Sequence, residues 1–151
     1  MGSKAADLPG AVLFACNRNA VRSPMAAATL RHLAGGRVYV ASAGVRAGEA
    51  DPFTAAVMEE LGIDLSSHKP MSLEELEDTS FDLIVTLAPE AHHRALDLLR
   101  DYAVDVEYWP TLDPTLTTGN REQILQAYRA VRDGLFAKIK TRFPLTAAPS
   151  V

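Results

Sequence analysis

A single α/β domain, built on a doubly wound parallel sheet, is the fold this sequence predicts. Strand-length apolar runs alternate with helical stretches, and the connections between them are short. The third run, Leu83-Ile84-Val85, is continuous rather than alternating, as expected of a parallel strand covered on both faces. Such alternation implies right-handed crossovers. At 151 residues the chain fits one domain with a real core, and no repeat, low-complexity tract or linker divides it.

Four strands are predicted, over 11–15, 37–41, 82–87 and 104–109, giving a central four-stranded parallel sheet flanked by helices. The first helix, 24–33, stops at Ala34-Gly35-Gly36. The second, 52–61, follows Asp51, a natural N-cap with proline at the first helical position, and ends at Gly62. A third, 72–77, opens on a capping box of Ser72 and Glu75. Helices over 90–101 and 121–141 complete the set. Residues 1–10 read as a leader or tag-like tail, 11–143 as the domain and 144–151 as an irregular tail.

Composition narrows the function classes. Lys and Arg number 15 against 19 Asp and Glu, a formal net charge of -4, which argues against a nucleic-acid partner held by phosphate contacts. The single cysteine forms no intramolecular disulfide, so the chain reads as intracellular and cytoplasmic. No apolar run approaches a membrane span, and the first ten residues lack a signal-peptide core, so no membrane partner is expected.

The chemistry concentrates where the first strand ends on Cys16. Asn17-Arg18-Asn19-Ala20-Val21 follow, then Arg22-Ser23-Pro24 and an alanine-rich helix. Strand, tight loop and helix N-terminus in that order build an anion cradle from loop amides and the helix dipole. The same positive field favours a thiolate at the cradle's mouth. Arg22 supplies a planar fork for two oxygens of a tetrahedral oxyanion. Asn19 sits mid-loop, where asparagine tolerates left-handed backbone, and Ser23 can donate to the thiolate. The blander reading makes Cys16 a small buried hydrophobe. His92 and His93 are adjacent, fall on different helix faces and read as solvent-exposed; no metal site and no cofactor are expected.

This run, Cys16 to Met25, resembles the signature of the low-molecular-weight protein tyrosine phosphatases, whose fold the thioredoxin-coupled arsenate reductases share. Ser42-Ala43-Gly44 after the second strand, Asp51-Pro52, Gly62-Ile63, Ser67-His68-Lys69 and Asp113-Pro114 follow in the family's order, so the resemblance covers nearly the whole chain. It implies a flavodoxin-like domain in which Cys16 attacks phosphorus, while Arg22 and the loop from Asn17 to Ser23 hold the oxyanion. Asp113 would serve as general acid and then base. Asn19, Ser23, Ser42 and His68 match the hydrogen-bond network that pins the loop. The implied substrate is a phosphorylated protein or small molecule.

The departures bear on specificity. Arg18 stands where family loops carry glycine, which costs strain if the position needs positive φ and otherwise adds a cation beside the pocket. Thr115-Leu116 replace the aromatics that usually follow the Asp-Pro, the segment Val45–Glu49 reads as shortened, and Val21 replaces a second cysteine. Trp109 reads as core. Three functions remain open: hydrolysis of phosphate monoesters, arsenate reduction with an external thiol, and non-catalytic oxyanion binding.

Overall fold

Strand β1 (Ala11–Cys16) lies inside a four-stranded sheet of order β2-β1-β3-β4, and every pairing is parallel. The computed structural model describes residues 8–76 and 80–145; most of the expected leader and tail falls outside them. The other strands are β2 (Tyr39–Gly44), β3 (Leu83–Thr86) and β4 (Asp105–Tyr108). The helices are α1 (Arg22–Ala34), α2 (Pro52–Glu59), α3 (Pro89–Leu98) and α4 (Arg121–Arg142). The first crossover, from β1 to β2, packs α1 on one side; the next carries α2 on that same side before Met71, Leu73 and Leu76 reach the other on the way to β3. Strand order therefore reverses at β1, whose carboxyl end carries Cys16.

Period-two alternation sends Val12 and Phe14 into the larger core with Met25 and Leu30 of α1, Val57 of α2 and Leu135 and Ile139 of α4. Leu13 faces the other way, onto Ile84 and Ala95 of α3. All four residues of β3 are buried, as its unbroken apolar run requires. Trp109 is core, edge-on to Phe14 at 6.0 Å between ring centroids.

Several boundaries differ from expectation, each for a local reason. Arg37 closes a 3-10 turn, Gly35–Arg37, and its guanidinium donates to the carbonyls of Ala34 and Leu33. The second strand therefore starts at Tyr39 and runs on through Ser42-Ala43-Gly44, which pairs with β1 instead of following the strand. The Ser72–Glu75 capping box forms, yet starts only one 3-10 turn, Leu73–Glu75. Helix α3 ends at Leu98, short of 101. Asp51 caps α2 as expected, accepting from the amides of Phe53 and Thr54. His92 is not solvent-exposed: it is half-buried, stacked on Tyr108 at 4.8 Å and hydrogen-bonded through Nδ1 to Thr86 Oγ1 at 2.9 Å. His93 is exposed. None of the helices among the described residues is long and apolar enough to cross a membrane.

Candidate active site

The loop after β1 is shaped by where its carbonyls go. Cys16 O accepts from Val45 N at 2.9 Å, Asn17 O from Arg46 N at 3.0 Å, Arg18 O from Gly48 N at 2.9 Å, and Asn19 O from His68 Nε2 at 2.8 Å. In a planar trans peptide the N–H opposes the C=O. Four carbonyls tied outward thus turn the amides of Asn17, Arg18, Asn19 and Ala20 to the inside of the loop. Helix α1 adds its own N-terminus there: no side chain caps it, whereas Asp51 caps α2 and Asn120 caps α4. The uncapped end and the inward amides form one concavity for an anion.

Asn19 makes the turn. It is the single non-glycine residue with positive φ (56°) among the described residues, so Arg18 occupies the family's glycine position without that strain. Gly44 permits the close approach: a Cβ there would lie 2.7 Å from Asn19 N and 2.8 Å from Arg18 C. The exposed Arg18 side chain runs past Gly48, whose added Cβ would meet Arg18 Cβ at 2.9 Å.

The Asn19 side chain, fully buried, donates from Nδ2 to Ser23 Oγ (2.8 Å) and Ser42 Oγ (2.9 Å) and accepts from Met71 N at Oδ1 (3.0 Å). Ser23 Oγ lies 3.0 Å from Cys16 Sγ and 3.5 Å from Ala43 O. The Ser23 hydroxyl, which accepts from Asn19, has its proton available to Ala43 O or to a Cys16 thiolate. Cys16, Asn19, Ser23, Ser42 and His68 therefore form one connected cluster. Asn17 and Ala20 are half-buried and Val21 is buried in the same loop.

Arg22 is nearly buried and reaches across to the segment after β4. Its Nη1 donates to Thr111 O at 3.0 Å, and Nη2 sits 3.8 Å from Asp113 Oδ2. Asp113 Oδ1 meanwhile accepts from the amide and hydroxyl of Thr115, leaving Oδ2 toward the arginine. The structure thus brings the Arg22 guanidinium, at the end of the Cys16 loop, to a carboxylate 91 residues further along the chain.

Two grooves flank the acid segment. One, of about 600 Å³, separates Leu112, Asp113 and Leu116 from α4; the other, of about 370 Å³, lies between Thr115 and the Glu49–Phe53 stretch, with Tyr128 on its floor. Phe53 gives this second groove an aromatic wall, at 5.4 Å from the Tyr128 ring, with the Arg121 guanidinium 5.3 Å from its own centroid. Sequence reasoning looked for aromatics beside Asp113 and missed this one; the Asp-Pro-Phe start of α2 was the available signal. Burial, and then the hydrogen bond to Asp51, push the Tyr128 phenol above its ordinary range. Among the described residues no cluster of three or more His, Cys, Asp or Glu could hold a metal.

With this geometry established, comparison with known proteins is informative. The family model for low molecular weight phosphotyrosine protein phosphatase matches residues 11–143. The arsenate reductase of Shouchella clausii is 30% identical over 129 residues, spanning 85% of this chain and 91% of that one. Among solved structures, the tyrosine phosphatase AmsI of Erwinia amylovora has a TM-score of 0.74 at 22% identity, with 95% of each chain covered. YwlE arginine phosphatase, as a mutant with a phosphorylated active-site serine, has a TM-score of 0.71 at 26% identity, covering 91% of this chain and 93% of that one. YwlE is a Bacillus subtilis protein.

Proposed function

The chain belongs to the low molecular weight phosphotyrosine protein phosphatase family, and from that premise we propose that it hydrolyses phosphate monoesters through a cysteinyl-phosphate. The observation that supports this reading is the approach of Arg22 to Asp113 at 3.8 Å beside the Cys16 loop, which brings a carboxyl group next to the arginine expected to hold the oxyanion. Cys16 attacks phosphorus as the thiolate while the ester P–O bond breaks, and Asp113 gives its proton to the departing oxygen. Water then attacks the phosphocysteine, Asp113 takes the water's proton, and the S–P bond breaks to release phosphate. Arg22, the inward loop amides and the uncapped N-terminus of α1 stabilise the charge on the equatorial oxygens in both steps. Asn17 to Ser23 form the oxyanion site, with Ser42 and His68 holding it from behind. The YwlE structure, with phosphate on an active-site serine, supports a covalent route in this fold. A phosphorylated protein or small molecule in the cytoplasm is the substrate class; the Phe53 wall suits a planar leaving group such as a phenol or guanidine.

A second reading is favoured by the arsenate reductases among the relatives. With one cysteine in the chain, no internal thiol relay is available. Cys16 would form a thiol–arsenate adduct, an external thiol would attack its sulfur to release arsenite and leave a mixed disulfide, and a second external thiol would regenerate Cys16. One panel separates the readings: phosphotyrosine, phosphoarginine and aryl phosphate hydrolysis, and thiol-coupled arsenate consumption, each for wild type and Cys16→Ser. Phosphate release lost in Cys16→Ser is the expected result. Arsenate turnover without phosphatase activity establishes the reductase. Phosphate-dependent thermal stabilisation without any turnover leaves an oxyanion-binding module.

A further inference from the structure

The acid segment between β4 and α4 is supported unevenly. At its start, Thr111 N donates to Leu87 O at 3.1 Å and Arg22 donates to Thr111 O at 3.0 Å. Beyond that, Leu112 and Leu116 flank Asp113 at 83% and 79% exposure, over the groove of about 600 Å³ that separates them from α4. Pro114 is the buried residue of the 3-10 turn Pro114–Leu116, and it lines both grooves, so it forms the ridge on which the turn rests. On the second groove's floor lies Tyr128 of α4, 3% exposed.

Tyr128 is itself fixed by Asp51. Its hydroxyl donates to Asp51 Oδ2 at 2.7 Å, while Asp51 Oδ1 holds the amides of Phe53 and Thr54 at 2.8 and 3.3 Å. One carboxylate thus caps α2 and anchors the tyrosine, and Phe53 closes on the Tyr128 ring from the side. The acid turn, α4 and the N-terminus of α2 meet through these residues.

We propose that Tyr128 is a positioning residue for the general acid: its hydrogen bond to Asp51 fixes one wall of the groove that Pro114 also lines, and so fixes the reach of Asp113 toward the leaving-group oxygen. This deepens the phosphatase reading and depends on it. The phenol, held above its ordinary range, keeps its proton and so remains a donor wherever Asp113 works. A displacement of about 1 Å is enough to lower proton-transfer efficiency substantially. A misplaced acid is felt most by substrates whose leaving group needs a proton, and least by those whose leaving group departs as a stable anion.

The experiment compares phenyl phosphate with 2,4-dinitrophenyl phosphate in wild type, Tyr128→Phe, Asp51→Ser, Asp113→Ala and the Tyr128→Phe/Asp113→Ala double variant, with thermal unfolding of each. Serine at 51 can still cap α2 but does not reach Tyr128. Tyr128→Phe and Asp51→Ser are each expected to lower kcat/KM, which reports the step that expels the leaving group, roughly tenfold on phenyl phosphate and less than about twofold on the dinitrophenyl ester. In the Asp113→Ala background, Tyr128→Phe is expected to add nothing, since it acts through the acid. Equal losses on both esters, or a Tyr128→Phe effect that persists without Asp113, overturn the proposal. If Asp113→Ala shows no leaving-group dependence of its own, the general-acid reading fails instead.

Discussion

The loop predicts its own fragility at Asn19. Replacing Asn19 with glycine keeps the backbone free to adopt φ 56° but deletes a side chain making hydrogen bonds of 2.8, 2.9 and 3.0 Å in a fully buried position. Ser23 Oγ, Ser42 Oγ and Met71 N each lose a partner where water has no ready access. At about 1 kcal/mol per bond, Asn19→Gly costs about 3 kcal/mol. Asn19→Ala adds the steric penalty of a Cβ in the left-handed region, about 1 kcal/mol more. Against a typical domain stability of about 5–15 kcal/mol, both variants fold, with a visibly lower urea midpoint. Activity is expected to fall further than stability does, because Ser23, 3.0 Å from Cys16 Sγ, loses the Asn19 bond that holds its hydroxyl in place. Urea unfolding followed by circular dichroism, paired with aryl phosphate kinetics on the folded fraction, measures both. Asn19→Gly with the wild-type urea midpoint would refute the reasoning, and an Asn19→Ala no worse than Asn19→Gly would remove its backbone part.

Three further outcomes are expected. Gly44→Ala places a Cβ 2.7 Å from Asn19 N and Arg46 O, backbone atoms that cannot swing aside, so oxyanion binding is lost with about 1–3 kcal/mol of stability; phosphate titration by calorimetry checks it. Arg18→Gly relieves no strain, since Arg18 has no positive φ, and lowers stability by about 0.4–1 kcal/mol; a gain in melting temperature would contradict this. Arg129 and Arg132 hold the Glu60 carboxyl down at about 2, so its contribution is full above the ordinary carboxylate range and is lost as pH falls from about 4.5 toward about 2. Glu60→Gln is expected to flatten the acid side of the stability–pH profile in that interval.

What the sequence disclosed follows the range of its signals. Cys16, Arg22 and Ser23 lie within one strand–loop–helix unit, so that local context, more than their spacing, marked them as candidates. Asp113, Ser42 and His68 became readable through the family resemblance, because the contacts joining them to the loop span tens of residues. The carbonyl contacts were not legible at all: neither Arg46 N to Asn17 O nor Arg22 to Thr111 O leaves a mark in side-chain identity. The Ser72 capping box marked a start correctly and overstated the length, since a cap fixes where a helix begins, not whether packing continues it. The second strand was placed too early because Val38 to Ala41 look extended whichever residue leads them, and the side chain of Arg37 decides otherwise by bonding the end of α1. Asp51 was read rightly as a cap, while its second bond, to Tyr128, is a tertiary contact.

The outward-tied carbonyls of residues 16–19 have a consequence for descent. Under the proposed function, four of the groups that meet the oxyanion are main-chain amides, specified by no codon of their own and oriented by carbonyls held on other segments. Mutation at 18 can therefore redraw the rim, as the exposed Arg18 illustrates, while the main-chain amides stay where they are. Changes at Gly44 or Asn19, which set that geometry, would displace those atoms. A lineage with this arrangement can drift among oxyanion substrates by exchanging rim side chains and need not reinvent the reaction each time.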